Sequence, residues 1–189
     1  MATRSFSNVV GFDDSPFDLE HRGDVRVVGA VCARTRLDGV LATTVRRDGN
    51  NATDRLIEIV ESSRFADHIR AILLQGIALA GFNVVDLERL AGALDIPVLV
   101  VVRKQPRMQM VKDALIERTT GGAEKWQLIE KHGPLERCGA LWVQRVGLTL
   151  REATDLLAAT TSHGNIPEPL RLAHIIAGGV ERGASRGRP

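Results

Sequence analysis

The chain predicts a mixed α/β fold in which a three-strand antiparallel meander is followed by parallel strands with helices on both faces. Three observations carry this. Up to Asp48 the chain offers only valine-rich runs separated by turn signals, without a helical period. Beyond Asn51, helical patterns alternate with short apolar runs at 71–75 and 97–102, which suit strands buried on both faces. Strands joined through helices require crossovers, and crossovers require parallel pairing.

Val9 to Phe12 forms the first strand, with Asp13 and Asp14 at its carboxyl end before Pro16 stops it. Residues 25–35 form the second strand, Leu37-Asp38-Gly39 reads as a hairpin turn, and residues 40–45 return as the third. In such a meander strands one and three point the same way, so Asp48 falls on the edge that carries Asp13. Asn51 stands where it can cap a helix over 52–62 with Leu56, Ile57 and Val60 as its apolar stripe. Strand four, 71–75, ends at Gln75-Gly76, and an apolar, glycine-bounded segment follows at 77–82. Asn83 is expected to cap the next helix, whose Leu87, Leu90 and Leu94 face inward.

After strand five, residues 108–119 and 124–132 read as helices parted by Gly121-Gly122, and 135–146 suggests a sixth strand. Thr149 and Glu152 form a capping box that opens a helix to about Thr161. Pro169 suits a first helical position, residues 170–182 form the closing helix, and 183–189 is expected to be a mobile tail. Without a repeat or linker, residues 1–189 read as a single domain. Strand one then lies centrally, between the meander and the parallel strands, which is the ribonuclease H-like arrangement. Its chemistry edge carries the ends of strands one and four, here Asp13 and Gln75.

Composition narrows the function classes. The 189 residues are 44% hydrophobic and 25% charged, the balance of a globular protein. No apolar run approaches the roughly 20 residues of a membrane span, and the first residues lack the apolar core of a secretory leader. A cytoplasmic protein without membrane contact is the expectation. Cys32 and Cys138 each sit in apolar runs and read as buried thiols. No C-x-x-C occurs and the histidines lack ligand spacing, so a bound metal would be a hard ion held by oxygen. The net charge is only +2, but Arg103, Lys104, Arg107 and Lys112 form a basic run without an acid. With aromatics at 4% and no tyrosine, a base-stacking platform for single strands is not expected.

Phosphoryl chemistry on hard ions needs carboxylates that converge, and two-metal sites hold ions about 3.5–4 Å apart. Asp13 is the best first ligand because a strand end is rigid. Asp14 points to the opposite sheet face and reads as a cap on the turn at Ser15-Pro16. Asp48 lies two strands away, roughly 10 Å, and reaches Asp13 only if its loop folds inward. It reads equally well as an ordinary Asp-Gly turn. Arg103, Lys104 and Arg107 follow strand five on the edge of Asp13 and are phosphate candidates. His174 falls on an apolar helix and reads as a core or half-buried histidine. Gly76 and Gly81 do not form a phosphate loop, since no Gly-Lys-Ser/Thr follows.

The run Val10-Gly11-Phe12-Asp13-Asp14-Ser15-Pro16-Phe17 resembles the opening strand of a family related to endonuclease V, whose archaeal members are called endonuclease dU. Gln75-Gly76-Ile77-Ala78-Leu79-Ala80-Gly81-Phe82-Asn83-Val84-Val85-Asp86 and Ile166-Pro167-Glu168-Pro169-Leu170-Arg171-Leu172-Ala173-His174 resemble it as well. The resemblance runs nearly end to end. It implies a ribonuclease H-like fold and Mg²⁺- or Mn²⁺-dependent cleavage of damaged or deaminated DNA, with RNA as the other candidate polymer. It implies catalytic roles for Asp13, Asp48 and Gln75, and metal ligands at Asp13, Asp48 and Glu168. Arg171 and His163 would lie near phosphate with Arg103, Lys104 and Arg107. The chain departs from the family pattern at Gln75, where an Asp precedes the glycine, and at Asn50 or Asn51, where an acid often stands. A glutamine oxygen can coordinate a hard cation but brings no charge. The alternative expectation is therefore a catalytically silent nucleic-acid-binding protein of the same fold.

Overall fold

The computed structural model describes residues 6–185. The opening meander consists of β1 (Asn8–Asp14), β2 (Asp24–Ala33) and β3 (Arg36–Arg46), each antiparallel to the next. The turn between β2 and β3 is at Arg34-Thr35, with Arg34 at φ 57°, and not at Leu37-Asp38-Gly39, which lies inside β3. Gly39 serves another purpose there: a Cβ on it would collide with the Phe65 ring packed on the strand.

Helix α1 (Ala52–Glu61) follows, then β4 (Ala71–Gln75), the short hairpin β5 (Ala78–Leu79) and β6 (Asn83–Val84), and α2 (Leu87–Leu94). Neither asparagine caps the helix expected of it. Asn51 makes no side-chain cap, and Asp86 caps α2 by accepting from the Arg89 N–H at 3.1 Å. Asn83, fully buried, instead accepts from the first N–H of α1 (Ala52, 3.0 Å) and donates to the Arg46 carbonyl and to Asn51 Oδ1, each at 2.8 Å. A ten-residue helix is marginal in isolation. Burial of Leu56 and Val60, worth about 1.5–3 kcal/mol each, and this cap from a distant segment hold α1 in place.

The chain continues through β7 (Val98–Val102), α3 (Met108–Arg118), α4 (Gly122–Lys131), β8 (Glu136–Cys138), β9 (Leu141–Val146), α5 (Leu150–Thr160) and α6 (Glu168–Arg182). The expected sixth strand is thus a hairpin of two, and β9 joins β7 antiparallel, so among the described residues only β1, β4 and β7 are paired in parallel. The capping box of Thr149 and Glu152 is present. Of the expected mobile tail, residues 186–189 lie outside the described residues.

The seven strands lie in the order β3-β2-β1-β4-β7-β9-β8, with β1 between the meander and the parallel strands. Alternation along each central strand divides the core. Val10, Phe12, Ile72, Leu74 and Val100 pack with Leu56 and Leu90 of α1 and α2 on one face. Val9, Leu73, Leu99 and Val101 pack with Leu156 and Leu170 of α5 and α6 on the other. Helix α6 lies directly on β1, and Gly11 permits it: a Cβ there would come within 2.6 Å of the Leu170 nitrogen. Among the described residues no helix is long and apolar enough to cross a membrane.

Candidate metal and nucleic-acid site

The ends of the two central parallel strands bring Asp13 and Gln75 together. Phe12 pairs with Leu74, so the next step of the register sets Asp13 beside Gln75 at the usual strand spacing of about 4.8 Å. Both share the alternation phase of Val9 and Leu73, the face that α6 covers. They line a cavity of about 360 Å³ together with Asp14, Phe17, His174 and Arg182.

Asp13 is buried, and its Oδ2 lies 2.8 Å from Nδ1 of His174, which α6 projects onto the strand end. Its Oδ1 accepts from the Asp14 N–H at 3.0 Å. The Asp14 side chain turns to the other face, as alternation requires. Its Oδ2 accepts from the Ala80 N–H at 2.8 Å, so it anchors the turn after β5 and not the turn at Ser15-Pro16. Burial, followed by the adjacent Asp14 charge, pushes the Asp13 carboxyl up to about 6, although the His174 contact opposes this. Burial raises Asp14 as well.

These residues fit a hard divalent cation. Oε1 of Gln75 is buried and has no hydrogen-bond partner among the described residues, an arrangement that costs about 1–3 kcal/mol unless something satisfies it. Two desolvated carboxyls sit beside it, and a cation would relieve both their burial and their mutual repulsion. Asp13 and Gln75 are the residues that could hold one, with Asp14 adjacent. Among the described residues no three His, Cys, Asp or Glu side chains gather in metal-ligand geometry. The donor set is therefore poor in charge.

The structure does not bring Asp48 or Glu168 to this cavity. Asp48, at φ 52°, stays on its own side of the 80–82 turn. Its N–H donates to the Ala80 carbonyl (2.9 Å), its Oδ1 accepts from the Phe82 N–H (2.9 Å), and its Oδ2 pairs with Arg47 Nε (3.1 Å). The buried Lys125 Nζ donates to its carbonyl at 2.5 Å. The loop does not fold inward because all these groups hold it to the 80–82 segment. Glu168 begins α6, six residues before His174, or roughly 9 Å along the axis. Its buried carboxylate accepts from Arg171 (Nη2, 2.6 Å) and from Ser162 Oγ (2.6 Å), and the Arg171 hydrogen bond holds it below the usual glutamate range. Arg171 is thereby occupied, and His163 lies in the loop ahead of α6 with Nδ1 3.2 Å from Ser162 Oγ. Arg103, Lys104 and Arg107 are exposed, and they follow β7 at the carboxyl edge that holds Asp13.

His174 and Arg182 are cavity residues that sequence reasoning did not place there. The signal for His174 was present: a polar ring between Ala173 and Ala177 on a helix face needs a buried partner. Both cysteines are free and buried as expected, and burial pushes the Cys32 thiol up to about 12.

The family model described as Endonuclease dU matches residues 5–181. A UPF0215 protein of Deinococcus radiodurans is 53% identical over 182 residues, covering 96% of this chain and 93% of that one. A second, from Methanothermobacter thermautotrophicus, is 43% identical over 188 residues, covering 97% and 92%. Among solved structures, a protein of unknown function from Archaeoglobus fulgidus superposes with a TM-score of 0.85 at 37% identity, covering 92% of this chain and 97% of its own. The catalytic domain of human endonuclease V superposes with a TM-score of 0.60 at 18% identity, covering 94% and 83%, a likeness of fold. The seven-stranded mixed sheet with helices on both faces is thus an endonuclease V-like architecture, and the chain belongs to the endonuclease dU family.

Proposed function

We propose that the protein is a divalent-metal-dependent endonuclease that hydrolyses phosphodiester bonds in DNA carrying damaged or deaminated bases. The observation that carries this reading is the partnerless, buried Oε1 of Gln75 beside the desolvated Asp13 carboxyl at the end of the central parallel strands. Mg²⁺ or Mn²⁺ held there would neutralise phosphate charge and lower the pKa of a bound water. Asp13 supplies the anionic ligand, Gln75 a neutral one, and Asp14 a second negative charge close by. His174 orients Asp13 through its Nδ1–H. Arg103, Lys104 and Arg107 draw the phosphate backbone to the edge. Support for a DNA substrate comes also from an endonuclease V of Ciona intestinalis with a TM-score of 0.55, solved in complex with inosine-containing DNA.

Incubation with Mn²⁺ and oligonucleotides containing deoxyuridine or deoxyinosine tests this. Cleavage that disappears in Asp13→Ala is expected; cleavage that is absent, or equal in the variant, refutes the reading. The second reading, a nucleic-acid-binding protein without nuclease activity, is favoured by one observation: Asp48 and Glu168 are engaged elsewhere, which leaves Asp13 and Asp14 as the carboxylates of the cavity. It predicts salt-dependent DNA binding with no melting shift from Mn²⁺. A metal at one hundred times its Kd would instead stabilise the fold by about 2.7 kcal/mol.

A further inference from the structure

We propose that the hollow next to the Asp13 cavity is a subsite for one phosphate-bearing nucleotide of a single-stranded nucleic acid, an inference that rests on the nucleic-acid reading above. This hollow, about 530 Å³, collects Arg22, Arg46, Arg47 and Arg118 against one acid, Asp48. Its surplus of three positive charges exceeds the net +2 of the whole chain. Such a concentration is a sink for an anion.

The walls are built, not incidental. The Arg47 side chain is 15% exposed and pairs with Asp48, so the one acid is already neutralised. Its Nη1 donates to the carbonyls of Asp18 (3.2 Å), Leu19 (2.6 Å) and His21 (2.5 Å), and its guanidinium lies 5.4 Å over the Phe17 ring. One arginine thus fixes the entire 17–21 rim. The opposite wall is the 80–82 turn, where Asp48 and Ala80 both hold positive φ (52° and 50°) and a Cβ on Gly81 would strike the Asp48 carboxylate. Strain of this kind persists where the surrounding contacts over-determine it, and it gathers at functional sites.

The remaining guanidiniums are left for a ligand. Arg22 donates only to backbone carbonyls. Arg46 holds a loose, 3.7 Å pair with Asp24 across two exposed side chains, a contact of little energy. Arg118 stands exposed at the end of α3. The guanidinium fork matches phosphate oxygens bidentately. Between these charges lie the rings of Phe17 and Phe82 and the side chain of Leu19, which is 86% exposed and overhangs the hollow. Arginines beside apolar side chains suit phosphate, sugar and base together. Phe17 lines both this hollow and the Asp13 cavity, so the two are neighbours.

Fluorescence anisotropy of a labelled single-stranded oligodeoxynucleotide, with full-length protein in EDTA, tests this without requiring cleavage. The exposed pair Arg22→Ala/Arg118→Ala is expected to raise Kd about tenfold or more and to reduce the slope of log K against log salt by about 1–2. Leu19→Ala is expected to raise Kd about threefold at an unchanged salt slope. Arg151→Ala, an exposed arginine on α5, controls for net charge and is expected to stay within twofold. Binding by the double variant equal to wild type, no binding by wild type, or displacement of the oligonucleotide by polyglutamate as effectively as by unlabelled DNA each overturns the subsite. Arginine-dependent binding in a protein that never cleaves refutes the nuclease reading and leaves the subsite standing; cleavage that is indifferent to Arg22 and Arg118 does the reverse.

Discussion

Nδ1 of His174 lies 2.8 Å from Oδ2 of Asp13, joining the middle of α6 to the end of β1 across 161 residues of chain. The contact opposes the upward push that burial and the Asp14 charge exert on the Asp13 carboxyl. Partners of metal-binding side chains typically tune affinity by 10–100-fold. His174→Ala is therefore expected to weaken Mn²⁺ binding about tenfold by calorimetry, with His174→Gln recovering part of the loss. Unchanged affinity in both variants would remove His174 from the site.

The pH dependence follows from the same pair. Asp13 rises from 3.8 to about 6 on folding, so the native state binds this proton more tightly than the unfolded chain does. Its contribution to stability is complete below pH 3.8 and is lost as pH rises through about 6. Asp13→Asn, which preserves the acceptor for the Asp14 N–H, is thus expected to stabilise the metal-free protein by up to about 2 kcal/mol near pH 7–8 and to change little near pH 4. A cation must displace that proton. Mn²⁺ affinity should then be flat above pH 7 and fall toward tenfold per pH unit below about 6, read by calorimetry across pH.

Gln75→Asp restores a charge where the strand pair has an amide. Without metal, three carboxyls in one cavity repel, and melting should occur at a lower temperature than in wild type. With Mn²⁺ the order should reverse, because affinity should increase about tenfold, or 1.4 kcal/mol. A variant that melts lower under both conditions would show that Gln75 is not placed to hold the ion.

Asn83→Ala should be costly although Asn83 touches no proposed ligand. It strips the side-chain cap from the Ala52 N–H of α1 and removes one of two donors each from the Arg46 carbonyl and Asn51 Oδ1, which keep the Gly49 and Arg46 N–H groups. A loss of about 2–4 kcal/mol in urea unfolding is expected, with Mn²⁺ affinity unchanged at temperatures below the transition.

Much of this fold was legible because it rests on periodicity. The valine-rich runs, the fully apolar 71–75 and 97–102 segments and the Thr149 capping box signal their structures locally. Asp13 was legible because a strand-end acid next to a second parallel strand is a matter of topology. Other features depend on long-range partners and leave no local mark. Asn83 sits where a helix cap would be read, yet its acceptor caps a helix that begins 31 residues earlier. The Leu37-Asp38-Gly39 signal yielded to Phe65, whose ring needs the space over Gly39. Asp48 looked available because neither Lys125, 77 residues away, nor the Phe82 amide announces that it will engage it. Glu168 looked free for the same reason, although Arg171 one turn on was a visible i,i+3 partner.

The proposed chemistry stands on a divalent cation held by Asp13 and Gln75. Anomalous scattering from a crystal of this protein soaked in Mn²⁺ tests it most directly. A peak is expected in the cavity between β1, β4 and α6, coordinated by an Asp13 carboxylate oxygen and by Gln75 Oε1. A peak at Asp48 or Glu168 instead, or an empty cavity at millimolar Mn²⁺, would contradict it.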